Sequence, residues 1–108
     1  MVTILVSAME KRKAHYHLDE IKQAFSSPDK LRMSVTALMT MASLNFTKDD
    51  AIRVIQLLSM RDLYKSMTSN KDHRIWQDVY HCNYEGVTLY VKITIDEEGY
   101  FLISFKEK

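Results

Sequence analysis

Cysteine, proline and glycine are all scarce in this chain of 108 residues, which holds one Cys, one Pro and two Gly. A lone thiol, Cys82, closes no intramolecular disulfide, which fits a reducing, cytoplasmic setting. So little glycine and proline argues against long disordered tracts. No CxxC or HExxH pairing occurs, so a zinc site has no support, and neither metal nor other cofactor is expected. His15 and His17 fall on one face of an extended segment, but two imidazoles without further ligands make a poor site, and they read as surface histidines. Charge of one sign is missing too. Fifteen basic residues against fourteen acidic ones leave a net charge of +1, so any site for a polyanion must be local. The apolar opening at 2–8 is far too short to span a bilayer. Basic residues follow it instead of preceding it, so no membrane association and no secretory signal are expected. Met9 serves as a start as well as Met1 does, which would make 1–8 an upstream extension.

What is present reads as one domain over 1–108. Leu18, Ile21 and Phe25 recur at helical spacing, predicting a helix over 17–25 that Ser26-Ser27-Pro28 stops. Leu31-Arg32-Met33 reads as a short extended piece. Ser34 is a cap for a second helix over 35–44, expected to bury Leu38, Met41 and Ala42. Thr47 and Asp50 form a capping box for a third, whose stripe is Ala51, Ile52, Val54, Ile55 and Leu58. The seven methionines, mostly in or near these helices, read as core filler.

From Leu63 onward the period changes from helical to two. Strands are expected over 64–68, 75–82, 87–95 and 100–106, with turns at 69–72, 83–86 and 96–99. Short links force antiparallel neighbours. Helices first and a meander afterwards give an α+β two-layer domain, with N-terminal helices packed on a C-terminal antiparallel sheet.

One face of that sheet carries the chemistry. In the third strand Val87, Leu89, Val91, Ile93 and Ile95 share one side, and Thr88, Tyr90, Lys92 and Thr94 the other. In the last, Phe101, Ile103 and Phe105 oppose Ser104 and Lys106. Lys65, Tyr90, Lys92 and Lys106 thus come from different strands of one surface, and Gln77 adds an amide. No carboxylate pair, Ser/His/Asp set or glycine-rich phosphate loop competes with them. Transfer of an RNA phosphodiester to its own 2′-hydroxyl needs only such groups, because the nucleophile belongs to the substrate. Lysine offsets charge on the phosphoryl oxygens, and tyrosine donates a proton, a role contributing about 10²–10⁴-fold. On spacing alone these residues read more readily as edge-protecting lysines and cross-strand tyrosines than as a catalytic set.

The strings Asp62-Leu63-Tyr64-Lys65-Ser66-Met67-Thr68, Asp72-His73-Arg74-Ile75-Trp76-Gln77-Asp78-Val79-Tyr80, Leu89-Tyr90-Val91-Lys92-Ile93-Thr94 and Ser104-Phe105-Lys106-Glu107-Lys108 occur in that order. Together they resemble the MqsR toxin family of type II toxin–antitoxin systems, more weakly back to Met9-Glu10-Lys11-Arg12. The resemblance implies a RelE-like fold and a cytoplasmic, metal-independent, sequence-specific endoribonuclease that cleaves mRNA and so inhibits translation. It implies Lys65, Gln77, Tyr90 and Lys106 as catalytic residues. Lys65 and Lys106 would hold the phosphate, one of them also moving a proton; Tyr90 would donate from its hydroxyl, and Gln77 would position RNA. Lys92, His73 and Met67 are further RNA-binding candidates. The implied partners are a cognate antitoxin and mRNA, with operator DNA reached only through the antitoxin. Trp76 and Tyr80 read as core or partner contacts, and Asp78 as an anchor. The turn at 83–86 carries Glu85 and no arginine, where relatives can be more basic. The rival reading is a catalytically weak module that binds RNA or pairs with an antitoxin in regulation.

Overall fold

The computed structural model describes residues 9–69 and 72–108. The expectations for 1–8, and for Asn70 and Lys71 within the turn at 69–72, lie outside the described residues. Within them, three α-helices precede most of a five-stranded sheet. The elements are β1 (Glu10–Lys11), α1 (Leu18–Ala24), α2 (Val35–Leu44), α3 (Lys48–Leu57), β2 (Leu63–Thr68), β3 (Trp76–Tyr84), β4 (Val87–Ile95) and β5 (Phe101–Glu107). The strands lie in the order β1-β2-β3-β4-β5, and every neighbouring pair is antiparallel. The α+β expectation therefore holds, with strand ends shifted by one or two residues.

Local chemistry sets the helix ends. The Ser34 hydroxyl accepts from the Ala37 amide at 3.1 Å, and α2 ends where Asn45 turns left-handed at φ 57°. Thr47 and Asp50 close the capping box on α3: the Asp50 carboxylate accepts from the Thr47 amide at 2.7 Å, and the Thr47 hydroxyl from the Asp50 amide at 3.3 Å. The stripe expected on α3 is buried in full.

Helix α2 is rotated from its expected setting. It buries Ala37 and Met41, whereas Leu38 is 49% exposed and Ala42 faces solvent. The cause lies at its N-terminus. The Ser34 hydroxyl donates to Ser104 Oγ at 2.7 Å, and the Ser34 amide donates to the Ile103 carbonyl at 2.9 Å. With Met33 bridged in parallel to Ile103, these bonds fix which side of α2 meets β5. The extended piece at 31–33 thus covers part of the β5 edge.

The core lies between the helices and one face of the sheet. Leu89, Val91, Ile93, Ile103 and Phe105 are buried there against Ile21, Phe25, Val54, Ile55 and Leu58. Each such side chain contributes roughly 1.5–3 kcal/mol by leaving water. Tyr80 is wholly buried in the same layer. Asp78, also at 0% exposure, accepts from the amides of His15 at 3.0 Å and Tyr16 at 2.9 Å. Those bonds compensate its burial and anchor the segment before α1 across the sheet. The Tyr16 hydroxyl adds a bond to the Trp76 carbonyl at 2.7 Å, and His15, though exposed, stacks on the Trp76 ring at 5.3 Å.

Two irregularities shape the opposite face. The β3–β4 hairpin turns on Glu85 and Gly86 alone, at φ 52° and 79°, the two-residue turn that suits the right-handed twist of its strands. Strand β3 consequently runs on to Tyr84. In β2 the register slips between Leu63, opposite Tyr80, and Lys65, opposite Val79. Tyr64 is the extra residue of this bulge, and it projects to the same side as Lys65.

Candidate functional site

Pairing across β2–β5 puts the open face in rows. Lys65, Val79, Lys92 and Ser104 form one; His81, Tyr90 and Lys106 form the next; Met67, Gln77, Thr94 and Leu102 flank the first on its other side. Directly opposed side chains in such a row begin about 4.5–5.5 Å apart. A hollow of about 230 Å³ opens on this face, lined by Tyr64, Lys65, Met67, Val79, Tyr90, Lys92 and Lys106. A second, of about 200 Å³, is bounded by Thr36, Ser104 and Phe105 and shares Tyr90, Lys92 and Lys106. Those three residues are common to both walls.

Four of the expected residues therefore meet: Lys65 from β2, Tyr90 and Lys92 from β4, and Lys106 from β5, with Met67 at the rim. The Lys106 ammonium stands 5.9 Å from the centre of the Tyr90 ring, and Lys108 Nζ stands 5.8 Å from it. Gln77 is on the same face, but one row along, beside Met67, and it lines neither hollow. His73 stands off the sheet in the turn before β3, with its Nδ1 buried, and it too lies away from both hollows.

Lys65 is held by a partner the sequence did not suggest. Its ammonium donates to Glu10 of β1 at 2.6 Å. That hydrogen bond raises the lysine's pKa above its ordinary value, with the carboxylate's charge acting the same way, and it lowers the pKa of Glu10 in return. The Glu10 carboxylate, more than the neighbouring cations, governs Lys65. It is a fixed cation. With Lys92 and Lys106 it gives the hollow a concentration of positive charge that the net charge of the chain does not reveal.

Sequence reasoning missed three residues. Glu10 is 55 positions from Lys65, beyond the reach of local pattern. Tyr64 seemed to alternate away from Lys65, and only the bulge returns it. His81 was legible in principle, because it alternates with Gln77 and Val79 on the polar face of β3. Its ring stacks on Tyr64 at 4.5 Å and meets Tyr90 edge-on at 4.7 Å. Cys82, by contrast, is buried on the core face, where burial pushes its thiol pKa up and away from reactivity.

This arrangement can take a phosphodiester among lysines and offer it a phenol. Residues 13–107 match the family described as motility quorum-sensing regulator, toxin of MqsA. Over 100 residues the chain is 39% identical to a protein of Escherichia coli (strain K12) named mRNA interferase toxin MqsR, covering 93% of this chain and 100% of that protein.

Proposed function

The chain belongs to the MqsR toxin family, and we propose that it is the toxin of a type II toxin–antitoxin pair, an endoribonuclease that cleaves mRNA and thereby stops translation. The observation that carries this reading is the hollow on the open sheet face, where Lys65, Tyr90, Lys92 and Lys106 converge from three strands. The whole chain, 1–108, is read as one RelE-like domain working in the cytoplasm.

The chemistry follows from the parts. The attacking oxygen is the substrate's own 2′-hydroxyl, so the protein supplies position, charge and protons. Lys65, kept protonated by Glu10, and Lys106 would face the non-bridging phosphate oxygens and offset the charge that grows on them. Tyr90, between them on β4, would donate to the departing 5′-oxygen and regain its proton from solvent, while the 2′-hydroxyl proton passes to solvent water. Lys92 would hold a neighbouring phosphate, and Met67 at the rim would touch a base or sugar. Gln77, one row away, would contact RNA beside the cut. Lysine side chains supply the charge here, so the reaction is read as metal-independent. Its products are a 2′,3′-cyclic phosphate and a 5′-hydroxyl, and DNA is inert because it has no 2′-hydroxyl. The relevant partner is a cognate antitoxin, through which alone operator DNA would be reached.

Induced expression of the wild type and of Lys65→Ala in the same cells tests the reading. Growth arrest with loss of mRNA is expected from the wild type only. Equal arrest by both, with mRNA intact, would favour a module that binds without cutting.

A further inference from the structure

His81 occupies the register position of Tyr90 on β4 and Lys106 on β5, yet it lines neither hollow. It stands behind them. Its ring lies at 26° to that of Tyr64 and at 73° to that of Tyr90, and both phenols wall the larger hollow. Nε2 is buried without a hydrogen-bond partner among the described residues. A neutral imidazole leaves one nitrogen so placed at a modest cost, whereas an imidazolium must bury a charged N–H there, which costs more.

Among the charged groups on this face, Lys108 makes the proton less welcome still. From β2 there is Lys65, from the segment after β1 Arg12, whose guanidinium sits 5.7 Å from the Tyr64 ring, and from β4 Lys92. From β5 come Lys106 and Lys108, both over Tyr90. The Glu10 carboxylate is engaged with Lys65, and Glu107 sits at the register position of Leu89, on the core face. Burial first, and Lys108 second, hold the His81 pKa below its ordinary 6.5.

We propose that His81 is a positioning residue of the cleavage site: as the neutral imidazole it braces Tyr64 and Tyr90 against the hollow, and on taking a proton it releases both. The inference rests on the mRNA-cleaving reading and adds a regulation to it. Protonation leaves a charged N–H buried without an acceptor among the described residues and beside the Lys108 ammonium, so the wedge opens and Tyr90 loses its aim. Phosphate capture by the lysines does not pass through this ring, so kcat falls and KM stays nearly constant.

Two measurements test it. The first is the pH dependence of kcat and KM on RNA, from about pH 5 to about pH 8, for wild type, His81→Phe and His81→Ala. Wild-type kcat is expected to fall on the acid side, by about tenfold per pH unit. His81→Phe keeps both ring contacts and cannot take the proton, so it should lack that limb and remain more active than His81→Ala. The alanine variant should lose on the order of tenfold to a hundredfold at every pH. An acid limb that persists in His81→Phe overturns the proposal, as does a folded His81→Phe no more active than His81→Ala. The second is an NMR titration of RNA-free wild type. The Tyr64 and Tyr90 ring signals should move with His81 at one midpoint below 6.5. Phenol signals indifferent to His81 overturn the bracing. This readout needs no cleavage, so a wild type that cuts no RNA would sink the enzymatic reading while the titration still decides the wedge.

Discussion

The Glu10 carboxylate and the Lys65 ammonium meet at 2.6 Å, tying the two-residue strand β1 to the cationic face of the sheet. An incoming phosphate must therefore displace or share a carboxylate to reach this lysine. Glu10→Gln keeps the shape and removes the charge. KM for RNA is expected to fall severalfold, while the melting temperature barely moves because the carboxylate is exposed. The pKa of Lys65 should drop toward the ordinary value, which NMR of the lysine side chain would show. An unchanged KM would mean that Lys65 does not contact the substrate.

Removal of Lys65 or Lys106 as alanine should each lower kcat/KM by about 10²–10³-fold, the usual loss for one charge-stabilising donor. Tyr90→Phe should cost about 10²–10⁴-fold with KM little changed, since only the hydroxyl is lost. Gln77→Ala should cost under about tenfold, because Gln77 stands one row outside the hollow. Single-turnover cleavage of an RNA oligonucleotide ranks the four. A Gln77 effect equal to that of Lys65 would move the scissile phosphate along β3.

Tyr80 buries its hydroxyl in the core, and that oxygen has no hydrogen-bond partner among the described residues. Tyr80→Phe should accordingly be neutral or stabilising by up to about 1 kcal/mol, measured by urea unfolding. Burial, helped by the charges of Asp78 and Asp62, pushes the Tyr80 pKa up to about 12 from 10.0. A raised pKa means that the protonated phenol is favoured by folding. Its contribution is complete below pH 10.0 and disappears as pH climbs toward 12. Tyr80→Phe should therefore unfold less readily than wild type across that alkaline window.

Asp78 is the buried anchor of the segment before α1. Asp78→Asn weakens charge-assisted bonds to the His15 and Tyr16 amides and should cost about 1–3 kcal/mol. Residues 12–17 should then become sensitive to limited proteolysis before the sheet does. Loss of RNA cleavage without any loss of stability would instead assign Asp78 to the chemistry.

Much of this fold could be read from sequence because its signals are local. Ser34, Thr47 and Asp50 mark helix starts by side-chain chemistry that needs no tertiary context, and the alternation over 87–95 sorts Tyr90 and Lys92 from the core. Placing Lys65, Tyr90, Lys92 and Lys106 on one face followed from the same alternation. What escaped was set at a distance or by an irregularity. The bulge at Tyr64 breaks period two, and nothing in Leu63-Tyr64-Lys65 announces it. Leu38 and Ala42 share an apolar helix with Met41, and the bonds from Ser34 to Ser104 and Ile103 decide which side turns inward. Gln77 has the right parity for the open face, but its row depends on the register between β2 and β3.

The most direct measurement is the chemistry of the cut itself. A short RNA carrying a single cleavage site, and its twin with one 2′-deoxy sugar at that site, would be treated with purified protein and their ends identified by mass. The expected result is a 2′,3′-cyclic phosphate and a 5′-hydroxyl from the RNA, with the deoxy twin intact. A 3′-hydroxyl end, or cleavage of the twin, would contradict the account, because neither can arise from a 2′-oxygen attacking a phosphate held by Lys65, Tyr90 and Lys106.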